Sequence, residues 1–550
     1  MTEIIEIDGG EWLDEHRTRD RRARAVYKVK ASASGDLAAD LAERSVTIAA
    51  MMDALAAQSQ PVCITGSAWS QSDLFTSPAI RVDTALDRAV WEVPRSALAP
   101  GFTGDASRFV FATGGAKLFE IMEFLDARGL SFRTAGSHKG QSIAGAVATG
   151  THGSLLGETG LETHVRGLLF VNGTGAAHWI ADPDCPVFSD AFVSGFAQSA
   201  DPAMFADALI HLGGMGYCAG VLLEAVPRFG LSWAKRVSPL PANWFDLVAQ
   251  GDFCAAAADA TGGRNPAFYE LTFDPNAGLD EDVMQTVYWH DDLPDQAAVQ
   301  PAPDAPGDTL DMIVGQIDAC SQAMLDKRCA GETTQPTEEE VEDRPGFLGL
   351  DIFGDGGLIR ILDIPGWTFD GFRKSAEENP TSTVPASLLA LTGEWEPRSL
   401  LGIRIDTFNS ALCVPAERLR EALEIGTELA SGFRKHFVYT VRFAQKSPAS
   451  MSFLRFENNA IINIDGLTRA GIAGWISHSD EASQAFTDAL DAAGIPYSMH
   501  WGKDIPSNAD KIAADFGEAV PRWRAARAAV VPPALQARLT SPMLAHWGLV

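Results

Sequence analysis

The segment Ala135–Ser154, AGSHKGQSIAGAVATGTHGS, carries residue types suited to holding a cofactor. Its twenty residues include five glycines, four alanines and five hydroxyl side chains. Glycine lets the main chain approach a flat ligand closely and turn its N–H groups toward an anion or a carbonyl-rich ring. A cofactor cradle and a flexible surface loop both fit this composition. The interleaved apolar residues Ile143 and Val147 favour the cradle, because a solvated Gly/Ser linker needs none.

A second candidate binding element is the turn Gly66-Ser67-Ala68-Trp69-Ser70, which follows the strand-like segment PVCIT. A strand that runs into a turn of small residues places main-chain amides at its tip, where they can hold a phosphate. The common nucleotide fingerprints are missing: no G-x-G-x-x-G follows a strand, and G-x-x-x-x-G-K-[ST] does not occur. The predicted ligand is therefore held mainly by main-chain groups.

Composition limits the classes of function. A chain of 550 residues is too long for one core and predicts two or more domains. The net charge of −29 disfavours nucleic acid and anionic membranes and favours small-molecule substrates. Seven cysteines without a C-x-x-C pair predict reduced thiols, no zinc site and no other metal site.

The predicted location is the cytoplasm. The first residues, MTEIIEIDGGEWLDEHR, are acidic and lack the apolar stretch of a secretory signal. No run of eighteen apolar residues occurs, so we expect no membrane span. The oligomeric state is left open.

The predicted elements alternate along the first part of the chain. A helix is expected from Ile48, followed by the strands PVCIT, AIRVDT, AVWEV and RFVFATGG and by a helix that Gly129 ends. Asn172-Gly173 predicts a hairpin turn. The segment MFADALIHLGGMGYCAGVLLEAVPRF predicts a helix, a glycine turn and a strand that finish a first domain near residue 230.

The rest of the chain predicts further strands, a helix just after Pro415 and an arginine-rich C-terminal helix, AVPRWRAARAA. The strands are AFYELTFDP, TVYWH, IRIDTFNSALCVP, FVYTVRF and AIINIDG. Residues 292–310 and 331–345 are rich in Pro, Asp and Glu and predict exposed acidic excursions.

Taken in order, these motifs resemble one family. TGSAWS, RFVFATGGAKLFEIMEFLDARGL, AGSHKGQSIAGAVATGTHGS and LGGMGYCAGVLLEAVPRF are similar to the PCMH-type FAD-binding domain of the vanillyl-alcohol oxidase family. YTVRF, IINID and HWGK resemble most its alditol oxidase and aldonolactone oxidase branch. The similarity spans most of the chain apart from about the first thirty residues and the acidic insertions near 290–350.

The resemblance implies an α+β fold. It places a PCMH-type FAD-binding domain of two small α/β subdomains at residues 1–232 and a substrate-binding cap domain, built on an antiparallel sheet with flanking helices, at 233–490. Residues 491–550 would return to the FAD domain and the active site.

The resemblance also implies which residues bind FAD. The turn at 65–70 would hold the pyrophosphate, residues 136–153 would follow the ribityl chain and the isoalloxazine, and residues near 216 would add main-chain contacts. The implied set is Thr65, Gly66, Ser67, Ala68, Trp69, Ser70, Gly136, Ser137, Gly140, Gln141, Ser142, Gly145, Ala146, Thr149, Gly150, His152, Gly153, Gly216, Tyr217 and Lys503.

One departure concerns how the flavin is attached. Many members have a histidine in a G-x-G-H-S turn that bonds covalently to the flavin, and Trp69 occupies that position here. Tryptophan cannot form this bond, so the sequence predicts dissociable FAD, with Trp69 packing against the cofactor or the core.

The implied catalytic residues lie far apart in the chain. Ser137 matches an active-site serine, Arg442 the arginine of the family's Glu-x-Arg strand motif, and Lys503 the lysine of HWGK. Either cation could bind substrate oxygens or stabilise the reduced, anionic flavin. His138 could face either substrate or solvent.

Three catalytic positions depart from the alditol oxidase pattern. Thr440 replaces the glutamate of Glu-x-Arg, and Asn463-x-Asp465 replaces His-x-Thr. Strand residues two apart share a face, so Asn463 and Asp465 would point the same way. Asp465 is therefore a candidate to replace the missing carboxylate.

The resemblance favours an oxidase. In this family a small residue at the position of Gly136 leaves room for dioxygen near flavin C4a, so the sequence favours dioxygen as the electron acceptor. The expected reaction is hydride transfer to the flavin from a CH–OH carbon of an alcohol, polyol or lactone-like substrate. The alternatives are a dehydrogenase for a larger apolar or aromatic substrate and a flavin-binding protein without turnover. The first is suggested by 13 tryptophans, 29 phenylalanines and the loss of the polyol-binding glutamate at Thr440. His152, His500 and Trp501 are expected to be structural.

Overall fold

A computed structural model describes the chain over residues 2–13, 20–31, 33–75, 79–293, 364–378, 380–382, 385–392, 407–430, 437–467, 477–504 and 506–550. The second acidic excursion and nearly all of the first lie outside the described residues. No described helix is long and apolar enough to cross a membrane.

The strands come in chain order and belong to four sheets. They are β1 (Glu3–Leu13), β2 (Asp20–Lys30), β3 (Val62–Thr65), β4 (Ile80–Leu86), β5 (Val90–Glu92), β6 (Phe109–Ala112), β7 (Leu130–Ser131), β8 (Val165–Val171), β9 (Ala177–Ala181), β10 (Ala197–Ser199), β11 (Cys218–Glu224), β12 (Val226–Pro227), β13 (Gly230–Ser238), β14 (Phe268–Phe273), β15 (Val283–Asp291), β16 (Ala386–Ser387), β17 (Thr407–Pro415), β18 (Phe437–Gln445), β19 (Asn458–Leu467) and β20 (Ser498–Met499).

Helices connect and cover these strands. They are α1 (Leu37–Ala56), α2 (Leu118–Asp126), α3 (Ile143–Ala148), α4 (Pro202–Leu209), α5 (Trp244–Ala249), α6 (Phe253–Ala256), α7 (Ala258–Thr261), α8 (Ile364–Glu378), α9 (Leu388–Leu391), α10 (Leu419–Ala430), α11 (Ser477–Ala492), α12 (Ala509–Phe516), α13 (Ala519–Val530), α14 (Pro533–Gln536) and α15 (Pro542–His546).

Two sheets form the first part of the molecule. The N-terminal sheet has the strand order β1-β2-β4-β3, with β4 parallel to both β2 and β3. The central sheet has the order β10-β9-β8-β11-β6-β5, and its β8–β9 hairpin confirms the turn predicted at Asn172-Gly173. One apolar core joins these two sheets with α1, α3 and the C-terminal helices.

The first helix begins earlier than the sequence predicted. It starts at Leu37 instead of Ile48, and the Asp36 carboxylate caps it by accepting from the amides of Ala38 and Ala39. The missed part contains Arg44, whose side chain is fully buried and interrupts the apolar periodicity. Burial of a charged residue inside a helix is what the pattern could not anticipate.

A buried charge network explains why Arg44 is inside. Its guanidinium lies 2.7 Å from Asp87, which also accepts the Tyr217 hydroxyl at 2.7 Å. Both charged side chains are fully enclosed. The network ties α1 to β11 and to the turn after β4.

The eight-stranded sheet, called here the cap sheet, has the order β16-β13-β15-β14-β18-β19-β17-β20 and is antiparallel throughout. One face packs on α10 and α11 through residues such as Tyr439, Ile462 and Phe486. The register places Thr440 opposite Asn463, and Arg442 opposite Glu270. The face that carries these residues is polar.

The chain returns from the cap sheet to the N-terminal sheet through residues 498–504. β20 pairs with β17, and the residues that follow donate to the cap sheet and accept from the turn after β3. The Gln71 amide donates to the Gly502 carbonyl at 2.9 Å, and the Asp504 amide donates to the Asn409 carbonyl at 3.1 Å. This return places the HWGK residues between the two parts.

Breaking the buried pair should destabilise the fold strongly. Asp87→Ala leaves the Arg44 charge enclosed without its partner, which costs about 3–5 kcal/mol. In guanidinium unfolding followed by tryptophan fluorescence, we expect a large fall in the midpoint. Glu421→Ala removes the exposed Arg418–Glu421 pair and should cost less than about 1 kcal/mol. Equal effects of the two changes would contradict the assignment.

Candidate active site and cofactor cavity

Among the described residues, the turn after β3, the glycine-rich segment, the cap sheet and the C-terminal return line one cavity. It encloses about 1670 Å³ of space not occupied by atoms, part of which opens to solvent. Its lining brings small, polar and charged residues from distant parts of the chain together, as is typical of a ligand site.

Most of the residues predicted to bind the cofactor line this cavity. They are Gly66, Ser67, Ala68, Trp69, Ser70, Gly136, Ser137, Gln141, Ser142, Gly145, Ala146, Thr149, His152, Gly216 and Lys503. Five others do not line it: Thr65, Gly140, Gly150, Gly153 and Tyr217.

Two of these five lie behind the cavity wall. The Thr65 side chain is fully buried, and the Tyr217 hydroxyl points to Asp87 in the charge network. Gly150 takes a positive φ of 72°, which bends the chain between Thr149 and Thr151 on the wall. Thr65, Tyr217 and Gly150 therefore support the residues that line the cavity without lining it themselves.

The turn after β3 has the geometry of an anion site. Ala68 adopts a φ of +57°, which is unusual for a residue other than glycine. The main-chain amides of Ser67, Ala68 and Ser70 donate to no group within the described parts of the chain. Main-chain amides without an internal partner that are gathered in one turn suit the binding of a phosphate.

Lys117 adds a positive charge that the sequence analysis missed. Its ammonium group lies 2.5 Å from the Ser67 hydroxyl, although the two residues are far apart in the chain. Lys117 precedes α2, where nothing in the local pattern marks it as functional. The lysine strengthens the case for an anionic ligand at the turn.

The glycine-rich segment is ordered and partly helical. Ile143 and Ala144 donate main-chain hydrogen bonds to Ala116 and Gly114, which fixes α3 against the central sheet. The Gln141 Oε1 atom is buried and has no hydrogen-bond partner among the described residues. A flexible surface loop is therefore the wrong description of this segment.

Trp69 and His138 lie next to each other on the wall. Their ring centroids are 5.0 Å apart with the planes tilted by 36°. Both line the cavity, so the position that holds the flavin-linking histidine in many members presents an indole here.

The cap sheet contributes the predicted catalytic residues Arg442, Asn463 and Asp465 to the cavity. Thr440 does not line it, and its hydroxyl lies 3.4 Å from that of Thr272 on β14. Arg442 is ion-paired, because its Nε atom lies 2.5 Å from the Glu270 carboxylate.

Glu270 and Asn409 are missing from the sequence-based set. Glu270 supplies the carboxylate beside Arg442 from a neighbouring strand, 172 positions away. The Asn409 amide donates to the Asp465 carboxylate at 2.5 Å, and both side chains are buried. Only strand pairing could have revealed either contact.

Two buried histidines lie where the glycine-rich segment meets the C-terminal return. The rings of His152 and His500 are 5.6 Å apart. Burial and the charges of Arg442 and Lys503 lower the pKa of His152 to about 3. Burial and the neighbouring His152 and Lys503 also hold the pKa of His500 well below its usual value. Both rings are therefore neutral near pH 7.

Hydrogen bonds fix both rings. The His152 Nδ1 atom lies 2.9 Å from the Gly153 carbonyl, so it carries the proton and donates. The His500 Nδ1 atom accepts from the Gly502 amide at 3.0 Å, which orders the turn that carries Lys503. These contacts agree with the structural roles expected for both histidines.

The comparisons with known proteins first define the class. Residues 41–181 match the family model described as FAD binding domain. This range contains the turn at Gly66–Ser70 and the whole glycine-rich segment. The match confirms the predicted PCMH-type FAD-binding fold, and the open amides and Lys117 fit the phosphates of that cofactor.

Two curated proteins are similar to part of this sequence. A putative D-arabinono-1,4-lactone oxidase of Neurospora crassa is 31% identical over 152 residues, which is 26% of this chain and 24% of the relative. D-arabinono-1,4-lactone oxidase of Saccharomyces cerevisiae is 30% identical over 147 residues, 26% of this chain and 25% of the relative. The matched region spans about a quarter of the length of these curated relatives. The predicted resemblance to the aldonolactone oxidase branch is confirmed.

The fold is shared over nearly the whole chain. Cholesterol oxidase from Brevibacterium sterolicum matches with a TM-score of 0.62 and 14% identity, covering 99% of this chain and 97% of that structure. A solvent-stable cholesterol oxidase matches with a TM-score of 0.64 and 14% identity, covering 99% and 98%. At this identity the likeness concerns the fold alone.

The buried neutral His152 makes stability depend on pH. Its pKa rises from about 3 in the folded chain to about 6.5 in the unfolded chain, so the unfolded state binds one more proton below pH 6.5. The stabilisation is complete above pH 6.5 and declines as the pH falls toward 3. At pH 5 the loss is about 2 kcal/mol.

His152→Gln removes this titration. Between pH 7 and pH 5, denaturant unfolding should show a shallower loss of stability in the variant than in the parent, by about one proton per unfolding event. Asn276→Gln, which changes an exposed side chain that does not titrate, is the control and should leave the slope as it is. Parallel slopes for parent and His152→Gln would refute the buried neutral state.

Proposed function

We propose that the protein is an FAD-dependent oxidoreductase that oxidises a CH–OH carbon of a small hydroxylated molecule. The observation that carries the proposal is one cavity whose lining combines the turn after β3 and the glycine-rich segment, both within the matched FAD-binding region, with Arg442, Asn463 and Asp465 from the polar face of the cap sheet. When bound, FAD supplies the acceptor for a hydride. A substrate in this cavity would contact both the cofactor and the side chains of the cap sheet.

FAD is proposed to bind without a covalent link. Trp69 occupies the position of the family's linking histidine and lines the cavity. The turn amides and Lys117 would hold the phosphates. The indole of Trp69 and the small residues Gly136 and Gly145 would form the wall beside the rings.

Asp465 is proposed to accept the hydroxyl proton as the substrate carbon loses its hydrogen. The Asn409 amide donates to the Asp465 carboxylate, which fixes the orientation of this carboxylate on the cavity wall. A general base must lie within hydrogen-bond reach of the proton it removes, so a fixed carboxylate suits this step. Lys503 and Arg442 would supply positive charge to a substrate oxygen as the proton leaves.

The polar wall favours a substrate with several hydroxyl groups. The Asn409 amide nitrogen is committed to Asp465, so its Oδ1 atom is left as an acceptor. The Oδ1 atoms of Asn409 and Asn463 are buried and have no hydrogen-bond partner in the described chain. A buried acceptor without a donor is costly, and substrate hydroxyls would satisfy both atoms.

The apolar alternative has less support. It is suggested by the aromatic content and by the loss of the polyol-binding glutamate at Thr440. The large aromatic side chains Trp233, Trp244, Trp501, Trp523 and Trp547 are buried in the cores instead of lining the cavity. A carboxylate is also present beside Arg442, because Glu270 supplies it from the neighbouring strand. A lactone substrate also agrees with the name of the matched relatives, D-arabinono-1,4-lactone oxidase.

Dioxygen is the proposed electron acceptor. Gly136 is buried on the wall, and a Cβ added there would lie 3.0 Å from the Thr151 methyl group. A side chain at this position would therefore crowd the wall, and glycine avoids that contact. The cytoplasm is the proposed location.

The purified protein should be yellow, and acid precipitation should release its flavin into the supernatant. A colourless protein that takes up no added FAD would refute the cofactor, and flavin left in the pellet would refute the non-covalent link. Anaerobic addition of polyols and aldonolactones should bleach the visible absorbance. Admitting air should restore it with formation of hydrogen peroxide.

The outcome of this screen separates the alternatives. Bleaching followed by slow reoxidation in air indicates a dehydrogenase. Bleaching by a hydrophobic alcohol alone indicates the apolar substrate. A flavin that no compound in the screen bleaches favours a binding protein without turnover.

Replacing the proposed base should slow reduction without removing the cofactor. Asp465→Asn keeps the shape and should lower the rate of anaerobic flavin reduction at least about 100-fold, since general base catalysis contributes roughly 10²–10⁴-fold. Stopped-flow absorbance measures the rate.

Two matched variants sharpen this test. Asn463→Leu should mainly raise KM for a polyol, because it removes an acceptor without touching the base. Asn458→Leu, away from the cavity at the start of the same strand, is the control for folding. A reduction rate unchanged in Asp465→Asn would exclude Asp465 as the base.

A further inference from the structure

His211 is a buried side chain on the cavity wall that the proposed function has not used. It lies in the loop between α4 and β11 and is only 3% exposed. The sequence analysis gave this residue no role.

The protonation of the ring can be worked out from its surroundings. Burial lowers the pKa of His211 to about 4, so the ring is neutral at pH 7. Its Nδ1 atom accepts a hydrogen bond from the Gly213 amide at 3.2 Å and so carries a lone pair. A neutral imidazole has one N–H, which must then be on Nε2.

The Nε2–H group is a donor without an acceptor. It is buried and finds no hydrogen-bond partner among the described residues. Buried donors are almost always satisfied, so an orphan on a cavity wall indicates a missing ligand atom. Another buried histidine, His164, behaves differently.

His164 shows the contrast. Its Nε2 atom accepts from the Arg133 amide at 3.2 Å, and its Nδ1 atom lies 3.1 Å from the Glu224 carbonyl. The protein itself satisfies both nitrogens, and His164 does not line the cavity.

The loop holds the His211 ring in one orientation. Leu212 adopts a φ of +52°, a strained conformation for a residue with a side chain, and its amide donates to the Ala148 carbonyl at 3.2 Å. The Phe170 ring contacts the imidazole edge-on, with centroids 5.2 Å apart. Within the described residues, Leu212 and Ala68 are the only ones other than glycine with positive φ, and both line the cavity.

We propose that His211 is a cofactor-binding residue whose Nε2–H donates a hydrogen bond to an acceptor atom of FAD. The inference rests on the proposed cofactor. The strained loop would serve to present this donor, and the Gly213 amide would select the tautomer that makes donation possible.

The experiment compares FAD affinities of apoproteins by titration calorimetry. His211→Phe keeps a planar ring against Phe170 but has no donor, and it should weaken FAD binding about tenfold or more. His211→Gln retains a side-chain N–H near the Nε2 position and should recover most of the affinity. His164→Phe is the matched control: it should lower the apoprotein melting temperature and leave the FAD dissociation constant unchanged.

The outcomes separate this inference from the proposed function. If the parent apoprotein binds no FAD, both the proposed function and the role of His211 are overturned. If the parent binds FAD and His211→Phe binds equally well, only the role of His211 is overturned. Should His211→Phe not fold, His211→Met, which also lacks a donor, replaces it in the comparison with His211→Gln, and equal affinities of those two variants would overturn the proposal.

Discussion

The site depends on a short set of hydrogen bonds around residues 500–504. The His500 and Asp504 amides donate to the carbonyls of Ala411 and Asn409 on the cap sheet. From the other side, the Gln71 amide and the Ser72 hydroxyl donate to the Gly502 and Trp501 carbonyls. One stretch of main chain thus joins the strand that carries Asn409 to the turn that begins at Gly66.

This constraint explains the composition of the HWGK motif. Trp501 is fully buried between Phe516 and Trp547, and its indole donates to the Met451 carbonyl, so the turn is anchored from within. His500 orders the Gly502 amide. Lys503 follows on the cavity wall, where its charge acts on His152 and His500. The motif therefore combines an anchor, a turn and a cation.

Buried charge is managed by pairing in both parts of the molecule. Arg44 and Asp87 neutralise each other inside the FAD domain, and Arg442 and Glu270 do so on the cap sheet. The two pairs differ in access, because Arg442 reaches the cavity while Arg44 is fully enclosed. A substrate or cofactor in the cavity can contact Arg442, whereas the enclosed Arg44–Asp87 pair only holds α1 in place.

Local sequence determined much of the first half of the chain. The Asn172-Gly173 hairpin, the strand that leads into Gly66–Ser70 and the glycine-rich segment were all predictable, because each depends on the conformational preferences of adjacent residues. The resemblance extended this to Arg442, Asp465 and Lys503, which the fold brings to one cavity. The beginning of α1 was missed because the enclosed Arg44 does not follow an apolar pattern.

The sequence determined the class of cofactor through the resemblance of several short motifs, because each motif consists of neighbouring residues and can be recognised in one segment. Tertiary structure alone decided the partners within the site: Glu270 beside Arg442, Asn409 on Asp465, Lys117 at the phosphate turn and the unsatisfied nitrogen of His211. Each depends on strand register or on burial between distant segments. No property of a residue's neighbours in the chain specifies which remote atom will lie within hydrogen-bonding distance of it.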